Sequence, residues 1–115
     1  MAFERFTQTA RSYRAKVSIR PNGTLGFNSG AVEKFGLEKS GFALLYFDRD
    51  KARIGIQPTM SDKEEGIHRI NRGKTGAWLA ARRFLDYYGL ASDEKKRYDA
   101  TWDDKEKMII VELKK

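Results

Sequence analysis

The chain has 115 residues, of which 40% are hydrophobic and 12% aromatic, and its formal net charge is +7. This length and composition suit one compact domain, or two interlocked half-domains, and exclude wholesale disorder. The absence of cysteine excludes disulfides and thiolate chemistry. Because no apolar run approaches the roughly 18 residues that span a bilayer and residues 1–14 lack the apolar segment of a secretory signal, we expect a cytoplasmic protein without a membrane partner.

The positive charge is concentrated in two stretches of the sequence. Residues 1–20 contain five basic residues and one acid, and residues 66–85 contain five basic residues and no acid. In each of the other stretches, 21–65 and 86–115, acids outnumber bases by one. Positive patches of this kind attract phosphate backbones. The distribution therefore predicts a nucleic-acid-binding surface, and the alternatives are an acidic protein partner, a membrane surface, or basicity that serves solubility alone.

The first predicted elements follow a basic N-terminal arm at residues 1–15. Residues 16–20 alternate between polar and apolar side chains, which is typical of a half-buried strand. A Pro-Asn-Gly sequence then marks a turn, and residues 24–27 form the return strand. This hairpin opens a first unit that we place at residues 16–58.

A short helix and a second hairpin complete the first unit. Asn28 or Ser29 can cap the helix with its side chain. Gly36 suits the left-handed conformation in which many helices end. The apolar strand at 42–47 and its partner at 53–56 then form the hairpin.

The second unit, residues 66–115, follows a polar linker at 59–65 and repeats the order of elements. A strand and a turn lead to a helix at 81–88, and a last hairpin ends near residue 113. Apolar side chains of the two units are expected to form the core: Val32, Phe35, Leu37, Leu44, Trp78, Phe84, Leu85, Tyr88 and Ile110 or its neighbours.

The two halves of the chain align when the first is shifted by 53 positions. Leu25 then falls on Trp78 and Gly36 falls on Gly89, and two more residues of shift align the final hairpins. The match is in pattern more than in identity, so duplication is a hypothesis. We therefore predict an α+β fold, mainly antiparallel β, with two short helices, about eight strands and two pseudo-repeats of ββαββ.

Three segments of the first unit carry a resemblance to a known family. They are Gly23-Thr24-Leu25-Gly26-Phe27, then Ala31 to Leu37, and the hairpin from Leu44 to Ile56. This pattern of a Gly, an alternating strand, a helix ending in Gly-Leu and a hairpin resembles an AbrB-type (SpoVT/MazE/MraZ-like) swapped-hairpin unit. The chain departs from the family before the helix, where Asn-Ser-Gly stands in place of the usual Pro.

The resemblance implies a DNA-binding transcriptional regulator in which two units exchange hairpins. The tandem pair could do this within one chain, or four units could join in a homodimer. In the family, DNA is contacted by basic residues on the first hairpin of each unit, which correspond to Lys16 and Arg20 and to Arg69, Arg72 and Lys74 here. With neighbouring basic residues, the candidate nucleic-acid-binding residues are Arg14, Lys16, Arg20, Arg69, Arg72, Lys74, Arg82 and Arg83.

A second resemblance leads to a different nucleic acid. From Phe42 onward, four strands are followed by the helix at 81–88, and this order resembles the repeat of Whirly-type proteins and related transcriptional coactivators. The resemblance implies binding of single-stranded DNA across curved sheets, with exposed aromatic side chains stacking on bases. Tyr13, Tyr87 and Tyr98 are the candidates for stacking, whereas both tryptophans are expected in the core.

No arrangement in the sequence points to an enzyme. His68 is the only histidine, and no nucleophile has the spacing of a catalytic triad. Residues 72–76 lack the full spacing of a phosphate loop, so we expect a basic turn there. We therefore expect no catalytic site, no metal and no cofactor. The alternative to a DNA-binding regulator is a protein-binding adaptor, such as an antitoxin-like inhibitor.

Overall fold

A nine-stranded antiparallel sheet dominates the computed structural model, which describes residues 14–74 and 76–113. The strands are β1 Lys16–Ile19, β2 Thr24–Asn28, β3 Phe42–Asp48, β4 Arg53–Thr59, β5 His68–Arg69, β6 Asn71–Arg72, β7 Gly76–Ala80, β8 Lys96–Asp103 and β9 Met108–Glu112. The helices are α1 Ser29–Phe35 and α2 Arg82–Tyr87, and a 3₁₀ turn at Leu37–Lys39 follows α1. The predicted class, mainly antiparallel β with two short helices, is confirmed.

The sheet curls into a nearly closed barrel. Its strand order is β5-β3-β4-β9-β8-β1-β2-β7-β6, so the two end strands are separated in sequence by Ile70 alone. The Ile70 N–H donates to the Gly41 carbonyl at 2.9 Å. His68 Nδ1 lies 2.9 Å from the Ala80 carbonyl of β7 and must donate, because a carbonyl only accepts. The lone histidine therefore helps to join the ends of the sheet.

The core fills the inside of this barrel. It contains the inward-facing residues of seven strands, for example Leu25, Ile54 and Leu79, which are all fully buried. Of the side chains predicted for the core, Leu37 and Leu85 are buried, whereas Val32, Phe35 and Phe84 are partly buried against it.

Two core predictions are wrong in their facing. Side chains alternate between the two faces of a strand. Trp78 lies between buried Ala77 and Leu79 and therefore faces outward. Leu44 faces outward for the same reason, because its neighbours Ala43 and Leu45 pack inside. The prediction of Ile110 or its neighbours is confirmed by the neighbours, since Ile109 and Val111 are fully buried.

Asn28 joins the start of α1 to the start of β1. Its Oδ1 accepts from the backbone N–H of Ala31 at 2.8 Å, which is the predicted helix cap, and from the N–H of Lys16 at 3.0 Å. Its Nδ2 donates to the Arg14 carbonyl at 2.8 Å. At the other end of α1, Gly36 has φ 64°, which confirms the predicted left-handed stop.

Replacing Asn28 with Ala should lower the free energy of unfolding by about 1–2 kcal/mol, as the loss of a helix cap does. Asn28→Asp keeps the oxygen that caps the helix and loses the donated bond, so its cost should be smaller. Urea denaturation of the three proteins checks this order. An equal cost for both variants would show that the cap contributes nothing.

The N-terminal arm predicted at residues 1–15 meets the sheet at its last residue. Ala15 is buried, and its carbonyl accepts from the Ala100 N–H at 3.1 Å. Residues 1–13 lie outside the described part of the chain. Among the described residues, no helix is long and apolar enough to cross a membrane.

Candidate nucleic-acid interface

A groove of about 410 Å³ lies on the outer face of β8, β1, β2 and β7. We call it the cationic groove, because among the described residues three basic side chains and no acidic side chain line it. Its lining residues are Ser18, Arg20, Gly26, Phe27, Asn28, Gly73, Gly76, Ala77, Trp78, Lys95 and Arg97.

The register of four strands creates this groove. Ser18 of β1 pairs with Arg97 of β8 on one side and with Gly26 of β2 on the other, and Gly26 pairs with Trp78 of β7. Directly paired residues share one face of the sheet. The large side chains of Arg97 and Trp78 therefore stand on either side of the small residues Ser18 and Gly26. Three inter-strand spacings of about 4.8 Å place β8 and β7 roughly 14 Å apart.

The Arg20 guanidinium lies on the floor of the cationic groove, against the backbone of Gly26. A Cβ atom built on Gly26 would lie 2.5 Å from Cζ and 2.7 Å from Nε of Arg20. Real Cβ atoms do not make contacts this close, so a side chain at residue 26 would displace the guanidinium. Glycine at this position thus allows the cation to lie in the groove.

The three cations of the groove have no acidic partner in the described part of the chain. Within residues 14–74 and 76–113, no carboxylate oxygen lies within 4.0 Å of the basic groups of Arg20, Lys95 or Arg97. Three like charges thus share one recess, and no acid of the described segments lines it. The recess is therefore suited to an anion.

Trp78 forms the aromatic side of the groove. The residue is 37% exposed, and its ring passes close to Gly73, where a built Cβ atom would lie 3.2 Å from Cζ3. Glycine at residue 73 leaves room for the indole. The groove therefore combines uncompensated cations with an accessible aromatic surface.

Among the candidate basic residues, Arg20 is the one that lines the cationic groove, and two others lie beside it. Lys16 is on the same outer face, two residues along β1 from Ser18, but its ammonium is ion-paired with Asp99. Arg82, at the start of α2, lines a small cleft together with Arg20. Arg82 therefore extends the positive surface beyond one end of the groove.

The other predicted site residues are more dispersed. Arg72 pairs with the inward-facing Ala77, so it does not share the face of Trp78, and its Nη1 donates to the Glu38 carbonyl at 2.8 Å. Arg69 of β5 pairs with Phe42 and does not line the groove. Arg14, Lys74 and Arg83 are exposed, and Lys74 directly follows Gly73 of the groove.

Sequence reasoning missed Lys95 and Arg97. The relevant signal is three consecutive bases, Lys95-Lys96-Arg97, directly at the start of β8. The net charge summed over residues 86–115 does not show this cluster, because acids outnumber bases by one in that stretch. Net charge summed over a shorter stretch of sequence would show it.

Of the three tyrosines predicted to stack on bases, the two that the structure describes do not line the cationic groove. Tyr98 pairs with the buried Val17 and packs against the core, so it cannot stack on a ligand. Tyr87 is 75% exposed on α2, with its ring edge-on to Tyr88. Tyr13 lies outside the described residues. The aromatic side chain that is exposed in the cationic groove is that of Trp78, which the sequence predicts in the core.

A second cavity, of about 370 Å³, lies on the outer face of β3, β4 and β9, and it has a different character. Three acids and two bases line it, together with apolar side chains such as Tyr46 and Met108. Asp48 belongs to this cavity. Hydrogen bonds from the Lys51 N–H and the Arg53 guanidinium hold the pKa of its carboxyl below the usual range. A carboxylate that stays ionised disfavours an anionic ligand here.

Comparisons support no assignment by similarity. The chain matches no protein-family model, no curated protein and no solved structure. In the described part of the chain, no three His, Asp or Glu side chains are grouped as metal ligands. The chemistry of the cationic groove is therefore the basis for the functional proposal.

Proposed function

We propose that this protein binds nucleic acid through the cationic groove, acting as a cytoplasmic DNA-binding transcriptional regulator. The observation that carries the proposal is a set of three cations in one recess, Arg20, Lys95 and Arg97, none of which has an acidic partner within residues 14–74 and 76–113. Phosphate contacts from Arg and Lys supply most of the affinity of proteins for nucleic acid. Arg82 and Lys74 continue the positive surface beyond the groove.

We also propose that the chain consists of two pseudo-repeats of ββαββ that exchange hairpins, as in the AbrB-type resemblance. Two aromatic contacts support this. Phe35 at the end of α1 stacks on Trp102 of the last hairpin, with ring centroids 6.1 Å apart. Tyr88 after α2 packs on Phe47 of the first unit's hairpin at 4.8 Å. Each helix thus contacts the hairpin of the other half of the chain.

The strand pairing supports the same proposal. β2 pairs with β7, and β4 pairs with β9, which are equivalent strands of the two halves. β1 pairs with β8 of the second half, while β5 of the second half pairs with β3 of the first. Because these pairings bring the ends of the sheet together within one chain, they favour a tandem pair that is complete by itself over a homodimer of four units.

The two hairpin turns provide further support. Ala52 and Lys107, 55 positions apart, both have positive φ, at 53° and 58°. Asp48 accepts from the N–H three residues later, and Asp103 does the same for its own turn. A positive φ at a non-glycine residue and an Asp contact at equivalent positions of both turns are expected of duplication.

Reversing two groove charges tests the nucleic-acid proposal. We expect Arg20→Glu/Arg97→Glu to weaken binding to random-sequence DNA, and to flatten the slope of log affinity against log salt by about two units, because each lost phosphate contact removes about one. Fluorescence anisotropy with labelled DNA at several salt concentrations measures both quantities.

The matched control is Lys51→Glu/Lys63→Glu, which changes the net charge equally at two exposed positions away from the groove. It should retain the parent's salt slope. If both double variants lose the same affinity, net charge and not the groove governs binding, and the site is wrong. If the parent protein binds neither single- nor double-stranded DNA at low salt, the nucleic-acid proposal fails and a protein partner becomes the better explanation.

A further inference from the structure

We infer that the cationic groove takes an unpaired base together with its phosphates, so that the preferred ligand is single-stranded DNA. This inference rests on the proposed function and specifies the form of nucleic acid. It follows from the position of Trp78 in the groove, because the phosphate backbone of a duplex offers no ring on which the indole could stack.

The groove brings an aromatic side chain and cations together in one recess. Trp78 stands on one side of the groove, and Arg97 stands three strands away, with the Arg20 guanidinium on the floor between them. A nucleotide has an aromatic base with two flat faces at one end and a phosphate at the other. The indole can stack on the ring while the cations bind the phosphates on its two sides.

The floor of the groove is low. Gly73 and Gly76 line it without side chains, Ser18 adds only a small one, and the Arg20 guanidinium covers Gly26. Larger side chains, Trp78 and Arg97, bound the recess. A flat base can therefore enter between Trp78 and Arg97, above the guanidinium.

A duplex fits this groove less well than a single strand. Duplex DNA has its bases stacked inside and its phosphates on a convex surface, and proteins reach its base edges with a protruding helix or β-ribbon. Against a concave groove, a duplex would contact only the cations at the rim. Trp78 would then gain no stacking partner, and the charges on the floor would remain unsatisfied.

The two tryptophans allow a direct test. Trp78 and Trp102 are exposed to similar extents, at 37% and 39%, but Trp102 stacks on Phe35 and does not line the groove. Trp102→Phe leaves Trp78 as the single tryptophan, and Trp78→Phe leaves Trp102, so excitation at a wavelength that tyrosine does not absorb reports on one indole at a time. The probes are a twelve-nucleotide oligo-dT, an abasic strand of equal length and charge, and a duplex of equal length.

We expect oligo-dT to quench the fluorescence of the Trp102→Phe protein and to leave that of the Trp78→Phe protein unchanged. Oligo-dT should bind the parent more tightly than the abasic strand or the duplex. Trp78→Ala should weaken oligo-dT binding by about tenfold to a hundredfold, the range for removing one stacked base, while Trp78→Phe should restore part of it. Binding of the abasic strand should be the same in the parent and in Trp78→Ala.

The outcomes separate this inference from the proposed function. Equal affinity for oligo-dT and the abasic strand, without quenching of Trp78, would overturn the base-binding inference and leave phosphate binding in place. A tighter complex with the duplex would also overturn it. If none of the three probes binds at low salt, both the inference and the proposed function are wrong.

Discussion

Truncating Leu79 to Ala should lower the free energy of unfolding by about 2–5 kcal/mol, because removing a buried large side chain loses its transfer free energy and leaves a cavity. Leu79 is fully buried on the inner face of β7. Its neighbours in the core come from several strands, so the cavity cannot close by moving one element. Urea denaturation monitored by circular dichroism provides the measurement.

The matched comparison is Trp78→Ala, one residue away on the same strand. Trp78 has the larger side chain, but it faces solvent and the cationic groove. We therefore expect its truncation to cost less stability than Leu79→Ala while impairing nucleic-acid binding. Leu79→Ala, tested where it is still folded, should retain binding. If Trp78→Ala is the more destabilising variant, Trp78 faces the core and Leu79 faces solvent, which contradicts the structure.

This pair of residues also shows where the sequence is insufficient. Residues 77–80 read Ala-Trp-Leu-Ala, so both faces of the strand are apolar and alternation cannot select the inner one. The facing is decided by pairing with β2, where Leu25 opposes Leu79 and Gly26 opposes Trp78. Aligning Leu25 with Trp78 placed the tryptophan on the wrong face.

Features with a local cause were predicted correctly. The Asn28 cap depends on a side chain that reaches an N–H three residues away, and the Gly36 stop depends on the conformational freedom of one residue. The hairpin of β3 and β4 closes over four residues. In each case the residues that determine the structure are neighbours in the sequence.

The candidate site could be predicted only in part, because it is built from distant segments. Arg20 was identified within a basic stretch. Arg97 reaches the groove through the pairing of β1 with β8, and Trp78 reaches it through the pairing of β2 with β7. Both contacts join residues more than fifty positions apart, and charge counted along the chain does not reveal them.

Gly76→Ala should be the most damaging change of a single methyl group, with a cost of about 3 kcal/mol, the upper end of the usual range for overpacking. A Cβ atom built on Gly76 would overlap the Phe27 carbonyl oxygen and lie 3.2 Å from its carbonyl carbon. The obstructing atoms belong to the backbone of the neighbouring strand β2, so no side-chain rotation relieves the clash. Strands β2 and β7 must separate at this point.

Gly41→Ala is the control, since a Cβ atom there would meet nothing within 4 Å and the residue does not have positive φ. It should be neutral or slightly stabilising, because alanine restricts the unfolded chain more than glycine does. Thermal denaturation of both variants measures the difference. Gly76 also lines the cationic groove beside Trp78. Separation of β2 from β7 should therefore weaken oligo-dT binding by the Gly76→Ala protein at temperatures where it remains folded.

A Gly76→Ala protein as stable as Gly41→Ala would mean that β2 and β7 lie further apart than the structure places them. The groove between Arg20 and Trp78 would then be wider than a single base requires.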